Sequence, residues 1–192
     1  TGGTITVESD IRVSGYYSSG NLELIADKDI QINATLENLS GGGNLTLSSK
    51  TGVSINSGGS INWDPGASGE VSVVASDSGG MSGSGSINLS SGILKVNSAA
   101  SGSSSFSGVI SGAGGLTKIG AGTLNLSGSN TYSGATVVDD GTLQISNASG
   151  TGNGLSITLD GGTIHQSASL KNPADYLLAV SYTHLTLPTT TP

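Results

Sequence analysis

GNLELIADKDIQIN at residues 20–33 and GNLTLSSKTGVSIN at residues 43–56 align without a gap at an offset of 23 residues, sharing Gly, Asn, Leu, Leu, Ile and Asn. Inside each copy two apolar–polar–apolar triplets flank a small polar corner: Leu22-Glu23-Leu24 and Ile30-Gln31-Ile32, then Leu45-Thr46-Leu47 and Val53-Ser54-Ile55. Side chains alternate along an extended chain, so each triplet sends two aliphatic groups to one side and one polar group to the other. Such a coil is unstable alone. Ordering about 23 residues costs on the order of 1–2 kcal/mol each, while four buried aliphatic side chains return about 1.5–3 kcal/mol each. Stacking on identical neighbours has to supply the rest, which predicts a parallel β-helix. Leu22 is then expected on Leu45, Leu24 on Leu47, Ile32 on Ile55 and Asn33 on Asn56, about 4.8 Å apart. A looser third copy, GSINLSSGILKVN at 85–97, aligns with one deletion and puts Ile87, Leu89, Leu94 and Val96 in the four apolar places.

An antiparallel β-sandwich is the structural rival, because Asp140-Gly141 and Asp160-Gly161 between apolar runs are hairpin signals. A sandwich gives no reason for one unit to recur in the same order at 23 residues, and that decides for the solenoid. Disorder is the other competitor for a chain in which 32 of 192 residues are Gly, 10% are charged and 4% aromatic. Disordered segments lack evenly placed large aliphatics, whereas Ile, Leu and Val recur here in i, i+2 pairs from Ile5 to Leu159.

The formal charge of −7, with six Lys and Arg, leaves no basic patch for a phosphate backbone or an anionic leaflet, so no nucleic-acid partner is expected. The absence of Cys removes disulfide, thiolate-zinc and Cys-nucleophile chemistry and suits an exported chain. No apolar run approaches the roughly 20 residues of a membrane-spanning helix. Thr1 follows no initiator Met or leader pattern, and the start reads as a truncation. At the other end, VSYTHLTLPTTTP over 180–192 breaks the Gly/Ser texture. Val180 to Thr189 resembles the in-frame translation of a transposase-type sequencing adapter, so 180–192 is read as an artefact and no biology is assigned to Tyr182, His184 or Pro188. The solenoid is accordingly assigned to 1–179, truncated at both ends.

At 114–145 the chain reads GGLTKIGAGTLNLSGSNTYSGATVVDDGTLQI. It resembles the autotransporter-associated β-strand repeat of Gram-negative surface passengers in Gly115-Leu116-Thr117-Lys118, in Gly120-Ala121-Gly122-Thr123-Leu124-Asn125-Leu126-Ser127-Gly128, in Asn130-Thr131-Tyr132-Ser133-Gly134 and in Gly141-Thr142-Leu143. The family usually has a small residue and Gly before its last Thr-Leu. Here Asp139-Asp140-Gly141 adds charge at a corner. Residues 20–97 are similar to filamentous-haemagglutinin repeats through the GNLxL…I-x-I-N cadence. These resemblances imply an all-β, right-handed parallel β-helix, exported to the cell surface or secreted, serving as the stalk of an adhesin. The expected partners are an outer-membrane translocator and, through the full-length protein, host-surface or extracellular-matrix ligands or glycans.

Neither repeat brings catalytic residues, and no catalytic, cofactor-binding or metal-ligating residue is assigned. No Ser has Gly at both i±2 positions, and GxGxxG, Walker and HExxH patterns are absent. His165 is the one His outside the adapter-like tail and reads as a surface strand residue. Glu8/Asp10, Asp27/Asp29 and Asp139/Asp140 invite comparison with β-helical polysaccharide-cleaving enzymes, which gather carboxylates on one face. Yet one repeat after Asp27 and Asp29 come Lys50 and Gly52, so the acids do not stack, and they read as solvated corners. The GGxGxD calcium turn is absent. Tyr16, Tyr17, Trp63 and Tyr132 are the candidate sugar-stacking aromatics, against the commoner role of a single aromatic in a solenoid as a plug of the core or a corner. The alternation Ile61-Asn62-Trp63 points Trp63 inward instead.

Overall fold

In the computed structural model the two copies stack as parallel strands, Leu22 beside Leu45 and Leu24 beside Leu47 on one face, Ile32 beside Ile55 on the next. The Asn56 side-chain amide donates to Asn33 Oδ1 at 2.7 Å, as the Asn-over-Asn stacking requires. The structure describes residues 3–13, 21–38, 41–100, 102–154, 156–167 and, for the backbone, 177–180. The sandwich is excluded for these residues: every strand pairing is parallel, and the chain winds through about seven turns of a β-solenoid. Parallel crossovers take the right-handed sense almost without exception.

Three sheets line the stack. The first face joins Ile5–Val7, Asp29–Ile32, Gly52–Ile55, Met81–Gly83, Ser103–Phe106, Thr123–Leu126, Thr142–Ile145 and Thr163–Gln166. The second joins Ile11–Arg12, Thr35–Asn38, Ser60–Trp63, Ser86–Leu89 and Val109–Gly112. The third joins Leu22–Ala26, Leu45–Ser49, Glu70–Ala75, Ile93–Asn97, Gly115–Ile119, Thr136–Val138, Ser156–Leu159 and Leu177–Val180. That last strand crosses the boundary drawn at 179/180. The remainder of the adapter-like tail, with Tyr182, His184 and Pro188, lies outside the described residues, as do Tyr16 and Tyr17.

The third copy of the repeat needs correction. Ile87 and Leu89 do not follow Leu45 and Leu47. They pair with Ile61 and Trp63 on the second face, while Leu94 and Val96 pair with Val71 and Val73 on the third. Residues 85–97 are therefore one face out of phase with 43–56. All three faces carry the same in–out alternation, so a short alignment cannot tell them apart. Nor is the period constant: side-chain contacts between neighbouring coils span 25 residues at Glu8–Asn33, 28 at Ser54–Ser82 and 20 at Ile110–Asn130.

Inward positions stack into columns of fully buried aliphatic groups, among them Leu36, Ile61, Ile87 and Ile110 on the second face. The outward residues Thr46, Ser54, Asn62, Asn88 and Asn125 are half-buried or exposed, as the alternation requires. Ser72 is on the same outward row but only 8% exposed, its register partner Lys95 reaching across to Glu70.

The abundance of Gly has its reason at the corners, where successive coils touch through main chain. Between the first and second faces, a Cβ on Gly85, Gly108 or Gly128 would overlap the carbonyl oxygen of Gly59, Gly85 or Gly108 in the coil before. Gly92, Gly134 and Gly154 stand in the same relation between the second and third faces, and Gly102, Gly122 and Gly141 between the third and first. The carbonyls so covered accept hydrogen bonds from the next coil, for example Ser86 N–H to Gly59 O at 3.1 Å and Thr142 N–H to Gly122 O at 3.1 Å. Asp140-Gly141 and Asp160-Gly161 are such corners too: Gly141 and Gly161 take positive φ values of 66° and 98°, turning the chain from the third face to the first.

Candidate functional site

The residues that sequence reasoning weighed for chemistry are not brought together. Glu8 accepts from the Asn33 side chain at 2.8 Å and Asp10 from the Thr35 amide at 3.0 Å, each capping the next coil. Asp27 pairs with Lys50 at 3.2 Å and Asp29 accepts from the Thr51 hydroxyl. The residue that breaks the acidic column one repeat on thus neutralises it, though exposed pairs of this kind contribute little. Asp139 and Asp140 are at another corner and His165 is exposed on the first face beside Gln144. Among the described residues no three His, Asp or Glu side chains converge as metal ligands do.

Neither described aromatic candidate is available to a sugar. Trp63 is fully buried and its indole N–H donates to Gly43 O at 2.8 Å. Tyr132 is 1% exposed and its hydroxyl is 2.7 Å from Thr136 Oγ1. Shallow grooves cross the coils among the described residues. One, of about 380 Å³, is lined by Ile93, Ala113, Leu116, Thr117, Ala135 and Val137 among others, and one of about 300 Å³ runs along the Gly59, Gly85 and Gly108 corner. Neither is lined by a titratable side chain, so neither supplies an acid or a base.

The distinctive chemistry is interior, in the coils of residues 115–154. The second face has no described strand after Val109–Gly112. Loop segments take its place, and the Asn130 amide does the work of a strand edge: Oδ1 accepts from Ile110 N–H at 2.9 Å while Nδ2 donates to Gly150 O at 2.7 Å. One side chain so joins the coil before it to the coil after it, with Thr131 N–H to Ile110 O and Ser133 N–H to Gly112 O completing the contact. Asn130→Ala would orphan two buried main-chain groups. We expect a loss of about 3 kcal/mol, read as a lowered urea midpoint for this variant against the parent chain.

Lys118 is the second interior departure. It occupies an inward position in the column Leu24, Leu47, Val73, Val96, Lys118, Val138 and Leu159, otherwise wholly aliphatic, and is fully buried. Its ammonium donates to Ile119 O at 2.8 Å, Gly120 O at 2.5 Å and, in the next coil, Asp140 O at 3.3 Å. In the sequence Lys118 and Asn130 stand out only as letters of a motif. The signal for Lys118 was present: Leu116-Thr117-Lys118 alternates in step with Leu94-Lys95-Val96, which puts Lys118 on the inward row.

Residues 116–145 match the family model of the passenger-associated-transport-repeat, as the resemblance of 114–145 to an autotransporter passenger repeat anticipates. Searches among curated proteins and among solved structures found no match.

Proposed function

We propose that this chain is a stalk segment of a secreted or surface-exposed bacterial adhesin, of the autotransporter or two-partner type, extending the protein from the cell and supporting its own export. The observation that carries the reading is the passenger repeat at 116–145 set within an uninterrupted stack of coils. Repeats of this family are typically structural. Burial of the aliphatic columns and closure of the corners by main chain leave few internal sites for a protease, while the outward rows of the described residues are mostly polar, broken by exposed Ile25, Ile93 and Val109, and assemble no charged or aromatic stripe. An outer-membrane translocator is the partner implied, with host or matrix ligands engaged elsewhere in the full-length protein.

A glycan-binding module is the second reading and a polysaccharide-active enzyme the third. The burial of Trp63 and Tyr132 counts against the second, and the scattered carboxylates count against the third. Placed between a secretion signal and an outer-membrane barrel in a Gram-negative host, the segment should reach the cell surface and resist trypsin there. The same segment should leave a glycan array blank and release no reducing sugar from polysaccharides. Reproducible sugar binding would replace the stalk by the lectin-like reading, and retention inside the cell with an intact signal would remove the export role.

A further inference from the structure

A lysine in the middle of an aliphatic column is a buried charge that stacking alone does not explain. The stem of Lys118 fills the space that Val96 and Val138 fill above and below it, and the ammonium leaves the column for the corner. There it meets three carbonyl oxygens, two from its own coil and one from the next. Near that corner the core is also polar, with Ser98 Oγ 2.8 Å from Ser104 Oγ, both buried. The carboxylate that acts on the ammonium is that of Asp140, at the corner where the next coil's Asp140 carbonyl also accepts from it.

We propose that Lys118 is a protonation-controlled seam of the solenoid, its ammonium bridging two successive coils at a cost of burial that is relieved when the proton leaves. Charged groups on the strands packed against it are few. Lys95, on Ile93–Asn97, faces outward onto Glu70, Asp139 and Asp140 follow Thr136–Val138, and the first-face strands Ser103–Phe106, Thr123–Leu126 and Thr142–Ile145 have none. Burial pushes the ammonium's pKa down from 10.5 to about 8, and Asp140 draws it part of the way back up. Between those two values the unfolded chain holds the proton more tightly than the folded one, so raising the pH across the window favours the folded coils. A neutral amine still donates to two of the three carbonyls. The seam is therefore weaker at neutral pH than in alkaline surroundings.

The test uses the whole chain, its Lys118→Met variant and its Asp140→Asn variant, each first checked for β-type circular dichroism. The Lys118 Cε resonance, followed by carbon-13 NMR, should titrate near pH 8 in the parent chain and lower in Asp140→Asn. Urea unfolding at pH 7.0 and 9.5 should give a folding constant that rises with pH by roughly 10- to 30-fold more in the parent than in Lys118→Met. A Lys118 titration at the ordinary lysine value, or the same pH dependence in the parent and in Lys118→Met, would overturn the proposal. Should Lys118→Met not fold, the Cε titration of the parent and of Asp140→Asn decides alone.

Discussion

Leu47→Asp is expected to cost on the order of 4 kcal/mol or more, and Thr46→Asp, one residue away, less than about 0.5 kcal/mol. Leu47 is fully buried between Leu24 and Val73, and a carboxylate there loses the transfer energy of the aliphatic group and gains no counter-charge among the stacked side chains. Thr46 faces outward from the same strand. In a stack where each coil touches only its neighbours, damage of that size opens the coils on either side of residue 47 before the rest. Urea unfolding followed by Trp63 fluorescence reads the loss where it occurs, since Trp63 belongs to the strand Ser60–Trp63 of the same neighbourhood. Equal effects of the two substitutions would remove the assignment of inside and outside.

Gly108→Ala should be nearly as damaging, although it adds a single methyl group. The new carbon would overlap the carbonyl oxygen of Gly85 and lie 2.6 Å from Phe106 Cζ. The carbonyl belongs to the neighbouring coil's main chain, so it cannot swing aside as a side chain does, and a shift there propagates to Gly59 below and Gly128 above. We expect a loss of about 3 kcal/mol. Gly3→Ala, whose new carbon meets nothing within 4 Å, should change stability by no more than about 0.5 kcal/mol. Thermal unfolding of both variants at one pH checks the pair, and a Gly108→Ala chain as stable as its parent would mean that the corners are not in close contact.

How far the fold could be read in advance depended on the length of the pattern available. Alternation in Leu22-Glu23-Leu24 and its neighbours is a local consequence of extended geometry, and two copies with equal spacing were enough to place Leu22 on Leu45 and Asn33 on Asn56. The third copy went astray because the corners differ in length from coil to coil, and nothing in a stretch of thirteen residues tells the second face from the third. The corner glycines were legible only as turn signals, since the contact that demands them is with a residue about 20 or more positions away. Trp63 was placed inward by alternation with Ile61, and its burial agrees. Tyr132, a candidate sugar platform or core plug, is the plug, beside the loops that replace the second face after Gly112, a change of cross-section with no local signature. Asn130 was hidden for the same reason: its two partners, Ile110 and Gly150, are each 20 residues distant.

The three rows of corner glycine have a consequence for how such a chain can grow. Coils meet there through peptide groups, whose shape is the same whatever the sequence, so a newly duplicated coil finds a matching surface without any tailoring of side chains. The row through Gly59, Gly85, Gly108 and Gly128 runs unbroken from a coil of 28 residues at Ser54–Ser82 to one of 20 at Ser104–Leu124. Extra residues are looped out between corners while the corners themselves stay in line. A chain of this architecture can therefore be lengthened or shortened by whole turns and absorb insertions of several residues while its joints stay unchanged.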